Sequence, residues 1–305
     1  AYYAIGDLRR EWSAMHDLDR LAALGQVSIS ASAVAHEFQK ERGLSAGFIG
    51  SKGARFAAEL QAQRALSVKS VEAYRGVLAG LDMDLLGEAF QAQVRPVEDA
   101  LRAVEAIRSE ITAGRATPAA SFGAYTTAID RLLAIVERGA SSASNADISR
   151  EITAYLMYLN AKEQAGRERA TMNGVFTADS FEPATFRRFL TLLATQETYL
   201  HAFEIFASGD DWGRHQAVLA SNASKAVDAM RKTAMDNALG GGFEVDPATW
   251  FAQITAKIDA MKQVEDELAT HIAQLIDEVA RDARGNFWQS VITMAVMLIV
   301  ALLFG

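Results

Sequence analysis

Cysteine is absent from all 305 residues. That excludes disulfides, thiol nucleophiles and thiolate metal sites, and it is compatible with life outside the cytoplasm. Proline is scarce, with four residues, too few for a turn-rich β-sandwich. No run of four or more strand-like alternations occurs either. Basic charge is in deficit: 30 Lys and Arg against 38 Asp and Glu give a formal charge of −8. A nucleic-acid surface needs a basic stripe, so no nucleic-acid partner is expected.

Signatures of catalysis are missing as well. His36-Glu37-Phe38-Gln39-Lys40 opens like a zinc HExxH motif, but Lys40 stands where the second histidine belongs. His16, His201, His215 and His271 are scattered, which gives no metal-ligand spacing. Gly240-Gly241-Gly242 lacks the Lys-Ser/Thr of a phosphate loop and reads as a hinge. No nucleophile elbow is present. The expectation is a chain without enzymatic activity, metal or cofactor.

What remains is helix. Alanine and leucine are abundant among glutamate, arginine and glutamine, a composition of good helix formers. Apolar residues recur at helical spacing in eight segments joined by small or polar turns. The first runs from about Asp7 to Ile49, and Gly50-Ser51-Lys52-Gly53 ends it. The second covers about Ala54 to Ala79 and the third about Leu85 to Ala113, with a break or kink expected near Pro96. Pro118 suits the first turn of the fourth. A fifth spans about Asp147 to Gly174; a sixth carries Phe186, Phe189 and Phe203. The seventh starts at Gly209 and runs to about Asn237, and the eighth starts at Asp246-Pro247, N-cap and first helical residue. Eight amphipathic helices with short turns predict an all-α protein of two four-helix bundles, residues 1–138 and 139–286, divided at Gly139–Ser144.

From Phe287 to Phe304 no charged residue occurs. Eighteen such residues are near the minimum for crossing a hydrocarbon core about 30 Å thick, and Trp288 stands where an interfacial aromatic would sit. The expectation is a transmembrane helix over residues 287–304 with lipid around it. Residues 1–286 would then be periplasmic, on the outer side of the inner membrane.

Two arginine-centred stretches stand out. Gln39-Lys40-Glu41-Arg42-Gly43-Leu44-Ser45-Ala46-Gly47-Phe48 lies late in the first helix. Gln164-Ala165-Gly166-Arg167-Glu168-Arg169-Ala170 lies late in the fifth, followed by Gly174 and Phe176. Each has Glu-Arg, a tiny residue, and glycine five positions after the arginine. Arginine presents a planar fork of donors suited to oxyanions. Arg42 and Arg169 on facing helices, with small neighbours leaving space, would grip one small anion, with Ser45 and Arg167 as helpers. Arg167 is two positions from Arg169 and should face elsewhere; Glu41 and Glu168, about 100° away on the helix, should tie down neighbouring helices. An alternative is that the arginines only bridge helices to acidic partners. The paired motifs also fit an internal duplication, although matching outside them is poor.

The run from Gln39 to Ser45 resembles the nitrate- and nitrite-sensing (NIT) domain of bacterial receptors. So do Glu168-Arg169-Ala170, Gln196-Glu197-Thr198-Tyr199 and the pattern from Trp250 through Val264-Glu265, so that the resemblance covers most of residues 25–280. It implies a pair of four-helix bundles that binds nitrate or nitrite through arginines, at the positions of Arg42 and Arg169. Such domains occur in chemotaxis transducers, kinases, cyclases and a soluble antiterminator. Together with the C-terminal run, the resemblance points to the sensor region of a transmembrane, methyl-accepting chemotaxis protein acting as a homodimer.

Overall fold

The computed structural model describes residues 2–140 and 145–304, with side chains at 12–13, 15–137, 145–297, 299–300 and 302. Among the described residues there are ten helices and no strand. They are α1 Tyr2–Gly50, α2 Ala57–Ala79, α3 Met83–Leu86, α4 Glu88–Thr112, α5 Pro118–Ala140, α6 Ala146–Ala178, α7 Pro183–Phe206, α8 Gly209–Ala220, α9 Asn222–Asp236 and α10 Pro247–Phe304.

Helix ends follow the local chemistry. Asn145 accepts from the amides of Asp147 and Ile148 and opens α6; Asp246 accepts from Thr249 and precedes Pro247. Such caps satisfy backbone donors that the helix itself leaves open. The expected seventh helix is two: Ser221 leaves the helical conformation and caps α9 through the Ser224 amide. The turn before α4 contains a short extra helix, capped by Asp82, while Pro96 is carried inside α4 without ending it. The glycine triplet is pinned by neighbours. A Cβ on Gly241 would meet the Asp179 carbonyl at 2.7 Å, and that carbonyl accepts from the Gly242 amide. The expected turn at Gly139–Ser144 lies largely outside the described residues.

α1 packs on α2 and α5, and α5 on α4; α6 packs on α7 and α10, which also holds α8 and α9. The two groups meet where α1 touches α10 and α6, and one apolar core runs through both. Lys40 pairs with Asp259 and Asp19 with Arg284, so α1 and α10 are antiparallel. Ser32 meets Tyr155 and Arg42 meets Glu163, so α1 and α6 are parallel. A buried Lys162–Glu265 pair joins α6 to α10.

The C-terminal expectation needs correcting. Among the described residues no helix is long and apolar enough to cross a membrane. The apolar stretch continues the charged α10 without a break, and Gln289, Ser290 and Thr293 dilute its first turns. The side chains of Leu298, Ala301, Leu303 and Phe304 lie outside the described residues. What is described of 287–304 therefore falls short of the roughly eighteen apolar residues a span requires. The expected transmembrane helix, its lipid contact and the periplasmic placement of residues 1–286 lose their support.

Candidate functional site

Arg42 of α1 and Arg169 of α6 are both fully buried, at 1% and 0% exposure. Burying two cations is costly unless each finds partners, so their hydrogen bonds define the site. Arg42 donates to both Glu163 oxygens, at 2.8 and 3.1 Å, and to the Thr126 hydroxyl at 2.9 Å. Its guanidinium carbon lies 5.1 Å from the Phe122 ring centre. Arg169 donates to the Gln39 carbonyl at 2.6 Å and the Thr255 hydroxyl at 3.1 Å, and lies 5.3 Å from the Phe251 centre. The two halves therefore present the same set: an arginine over a phenylalanine, bonded to a threonine one turn further on.

Symmetry extends outward. Two residues before each arginine, Lys40 pairs with Asp259 and Arg167 with Asp130. One residue before, Glu41 accepts two bonds from Arg108 and one from Tyr125. Glu168 accepts from Arg231 twice and from Gln196. Both glutamates thus tie α1 and α6 to flanking helices, as their direction on the helix requires.

The symmetry fails around Glu163, and that failure sets the charge. Arg42 has a carboxylate partner, Glu163, which also accepts from Gln39 at 2.9 Å and Arg167 at 2.6 Å. Six residues before Arg42, where Glu163 precedes Arg169, stands His36, buried and held neutral by desolvation. Among the described residues Arg169 has no ion pair, only the neutral acceptors above. Burial, then the nearby Arg42 charge, pushes its pKa down to about 10. Glu163 goes the other way: burial would raise it, but Arg42 and Arg167 hold it below the usual carboxylate range. Arg188 of α7, 4.4 Å from the Phe122 ring, adds another cation. The Nε atoms of Arg42 and Arg169 are both buried with no hydrogen-bond partner. The arrangement is a buried, net-positive cluster with donors to spare.

The small residues do not leave the void expected from sequence; the arginines themselves occupy the room. A Cβ on Gly43 would lie 3.1 Å from Arg169 Nε and from Phe251, and one on Gly166 would lie 3.0 Å from Arg42 Nη2. Gly47 admits the Phe56 ring, which leans on Phe251. Arg167 does not face elsewhere: it reaches back one turn to Glu163 and so acts on Arg42 through that carboxylate. Ser45 is buried near the Tyr125 hydroxyl, and its own Oγ has no hydrogen-bond partner. The arginine motifs alone do not point to Glu163, Thr126, Thr255, Phe122, Phe251 or Arg188. A signal is nevertheless present: Phe-x3-Thr-x2-Ile-Asp occurs at Phe122–Asp130 and again at Phe251–Asp259.

Residues 33–273 match the family described as NIT, nitrate and nitrite sensing. A relative, the nitrate regulatory protein of Klebsiella oxytoca, is 23% identical over 262 residues, which cover 85% of this chain and 65% of the relative. The solved structure of the NasR transcription antiterminator superposes with a TM-score of 0.80 at 21% identity, covering 94% of this chain and 81% of that one. That similarity establishes the shared all-helical fold. These findings also overturn three expectations. The transmembrane chemotaxis-receptor reading fails, since the similar proteins are regulators and no described helix can span a membrane. The inner-membrane location falls with it. The exclusion of nucleic acid fails too, because the shared fold is that of a transcription antiterminator. A net charge of −8 averages over the whole chain and does not exclude a local nucleic-acid contact.

Proposed function

The chain belongs to the nitrate and nitrite sensing family, and from that premise we propose that it is a sensor module binding nitrate or nitrite between Arg42 and Arg169. The two halves, residues 1–138 and 139–286, act as one sensor with its ligand at their junction. The observation that carries this reading is the pair of buried guanidiniums served by a single buried carboxylate, each with an unpartnered Nε. A small, planar, singly charged anion would settle that excess with few donors, which is what two planar forks supply. A tetrahedral dianion would require more donors and costs more to desolvate.

The reading is of a binding module and not of an enzyme. Its support is the family's description and the names of the similar proteins, a nitrate regulatory protein and a transcription antiterminator. Those names support a regulatory output here as well. Arg42 and Arg169 stand on parallel helices, and their threonines stand on α5 and α10. An anion that draws the two guanidiniums together biases how α1, α5, α6 and α10 pack. It does so only by its difference in affinity between two packings. Arg167 contributes through Glu163.

One observation favours a plainer reading, in which Arg42 and Glu163 merely bridge α1 and α6: their two parallel hydrogen bonds. Calorimetric titration of nitrate, nitrite and sulfate into the purified chain separates the two. Saturable binding of one monoanion per chain, with sulfate at least about 10-fold weaker, is expected. Absence of binding by both monoanions leaves a structural ion pair.

A further inference from the structure

Sequence spacing gives no metal site because its ligands are far apart along the chain, yet the fold gathers three. Glu151 on α6, Asp211 on α8 and His271 on α10 each offer one ligand atom, and these atoms lie within 4.8 Å of one another. Glu151 and Asp211 are buried, at 4% and 1% exposure. Arg150, half exposed, donates to Glu151 Oε1 at 3.2 Å. The other oxygen, Oε2, is buried with no hydrogen-bond partner. Asp211 is held in place from both sides: Ser208 Oγ donates to Oδ2 at 2.6 Å and Arg214 to Oδ1 at 2.8 Å. His271 Nδ1 stands 3.7 Å from Asp211 Oδ2, too long for a hydrogen bond. Its half-exposed ring edges a polar groove also lined by Asp210, Asp266, Glu267, Thr270 and Gln274.

We propose that Glu151, Asp211 and His271 form a binding site for a divalent transition-metal ion, with the groove leaving room for water on the metal. Two buried carboxylates so close repel one another, and their arginine partners are both half exposed. A dication compensates both and gives the orphaned Glu151 oxygen a partner. One imidazole with two carboxylates selects ions of the zinc, cobalt and manganese class over magnesium or calcium, which prefer oxygen alone. Bonds of about 2.0–2.2 Å would set ligand atoms roughly 3–3.5 Å apart. The ligand atoms, within 4.8 Å of one another, would close by at most about 1–2 Å, and the half-exposed His271 ring is free to move towards the carboxylates. Ser208 and Arg214 then play the orienting part that hydrogen-bonded neighbours play around metal-bound carboxylates. The bound ion would join α6, α8 and α10 at one point, roughly five helical turns along α6 from Arg169.

The test is titration of Co2+ into the chelator-stripped chain of 305 residues, followed by absorption and by displacement with Zn2+. One Co2+ per chain with a visible d–d band, displaced by one Zn2+ and not by Mg2+, is expected. His271→Ala and Glu151→Gln should each weaken binding by about 100-fold, and Ser208→Ala by roughly 10-fold. His201→Ala, an exposed histidine beside Glu204, should leave it unchanged. His271 is half exposed, so its variant folds and decides the matter even where Glu151→Gln does not. Wild-type protein without stoichiometric binding, or equal affinity in wild type and His271→Ala, would overturn the proposal.

Discussion

Arg42 and Glu163, 121 residues apart, close on one another through two hydrogen bonds inside the junction of the two halves. Arg169, its counterpart in the second half, has only hydroxyl and carbonyl acceptors. That asymmetry within a symmetric frame gives the site its excess positive charge, and several consequences can be measured.

The two arginines should differ in their effect on stability. Removing one partner of a buried pair leaves an uncompensated charge and costs about 3–5 kcal/mol. Arg42→Met should fall near the lower figure, since Glu163 keeps Arg167 and Gln39. Arg169→Met strands no carboxylate and relieves a desolvated cation, so its cost should stay within about 1.5 kcal/mol. Urea unfolding of the two variants in nitrate-free buffer checks the order; equal losses would contradict it.

Alanine at Gly43 or Gly166 should damage binding without damaging the helix. Inside a helix, alanine is favoured over glycine by about 1 kcal/mol. The new methyl group would press on Arg169 and Phe251 in one case and on Arg42 in the other, at 3.0–3.1 Å. Roughly 10-fold weaker nitrate binding, about 1.4 kcal/mol, is expected with unchanged circular dichroism. Wild-type affinity in both variants would show that the arginines do not need their present places.

Stability should fall with acid in a window set by His215. Burial, then Lys257, pushes its pKa down to about 4 from 6.5, and Nε2 is buried without a partner. The unfolded chain therefore binds the proton first. The stability is fully present above about pH 6.5 and lost as pH falls towards about 4. By about pH 5 the loss is about 2 kcal/mol relative to about pH 7.5. His36, also pushed down, adds in the same direction. Unfolding free energies at several pH values should be flatter for His215→Gln than for wild type; parallel slopes would refute the assignment.

Helical periodicity makes the elements legible, because apolar residues at 3.6 spacing record which face meets the core. Arg42 and Arg169 are legible because an arginine among tiny residues is uncommon where a helix buries all its faces. Glu163 is not: nothing in its local sequence marks it, and only the parallel packing of α1 and α6 brings it to Arg42. The break at Ser221 is hidden because apolar residues continue at helical spacing on both sides of it. The expectation for 287–304 rests on eighteen uncharged residues and an aromatic, Trp288, at their start, while the described helix there is not apolar enough for a span.

The central claim is that Arg42 and Arg169 hold one monoanion together. Calorimetric titration of nitrate and nitrite into wild type, Arg42→Ala and Arg169→Ala tests it most directly. Each substitution removes a charge-assisted contact worth about 1.5–3 kcal/mol, which predicts affinity lowered roughly 10- to 150-fold. Unchanged affinity in both variants, with the helical signal intact, would contradict it.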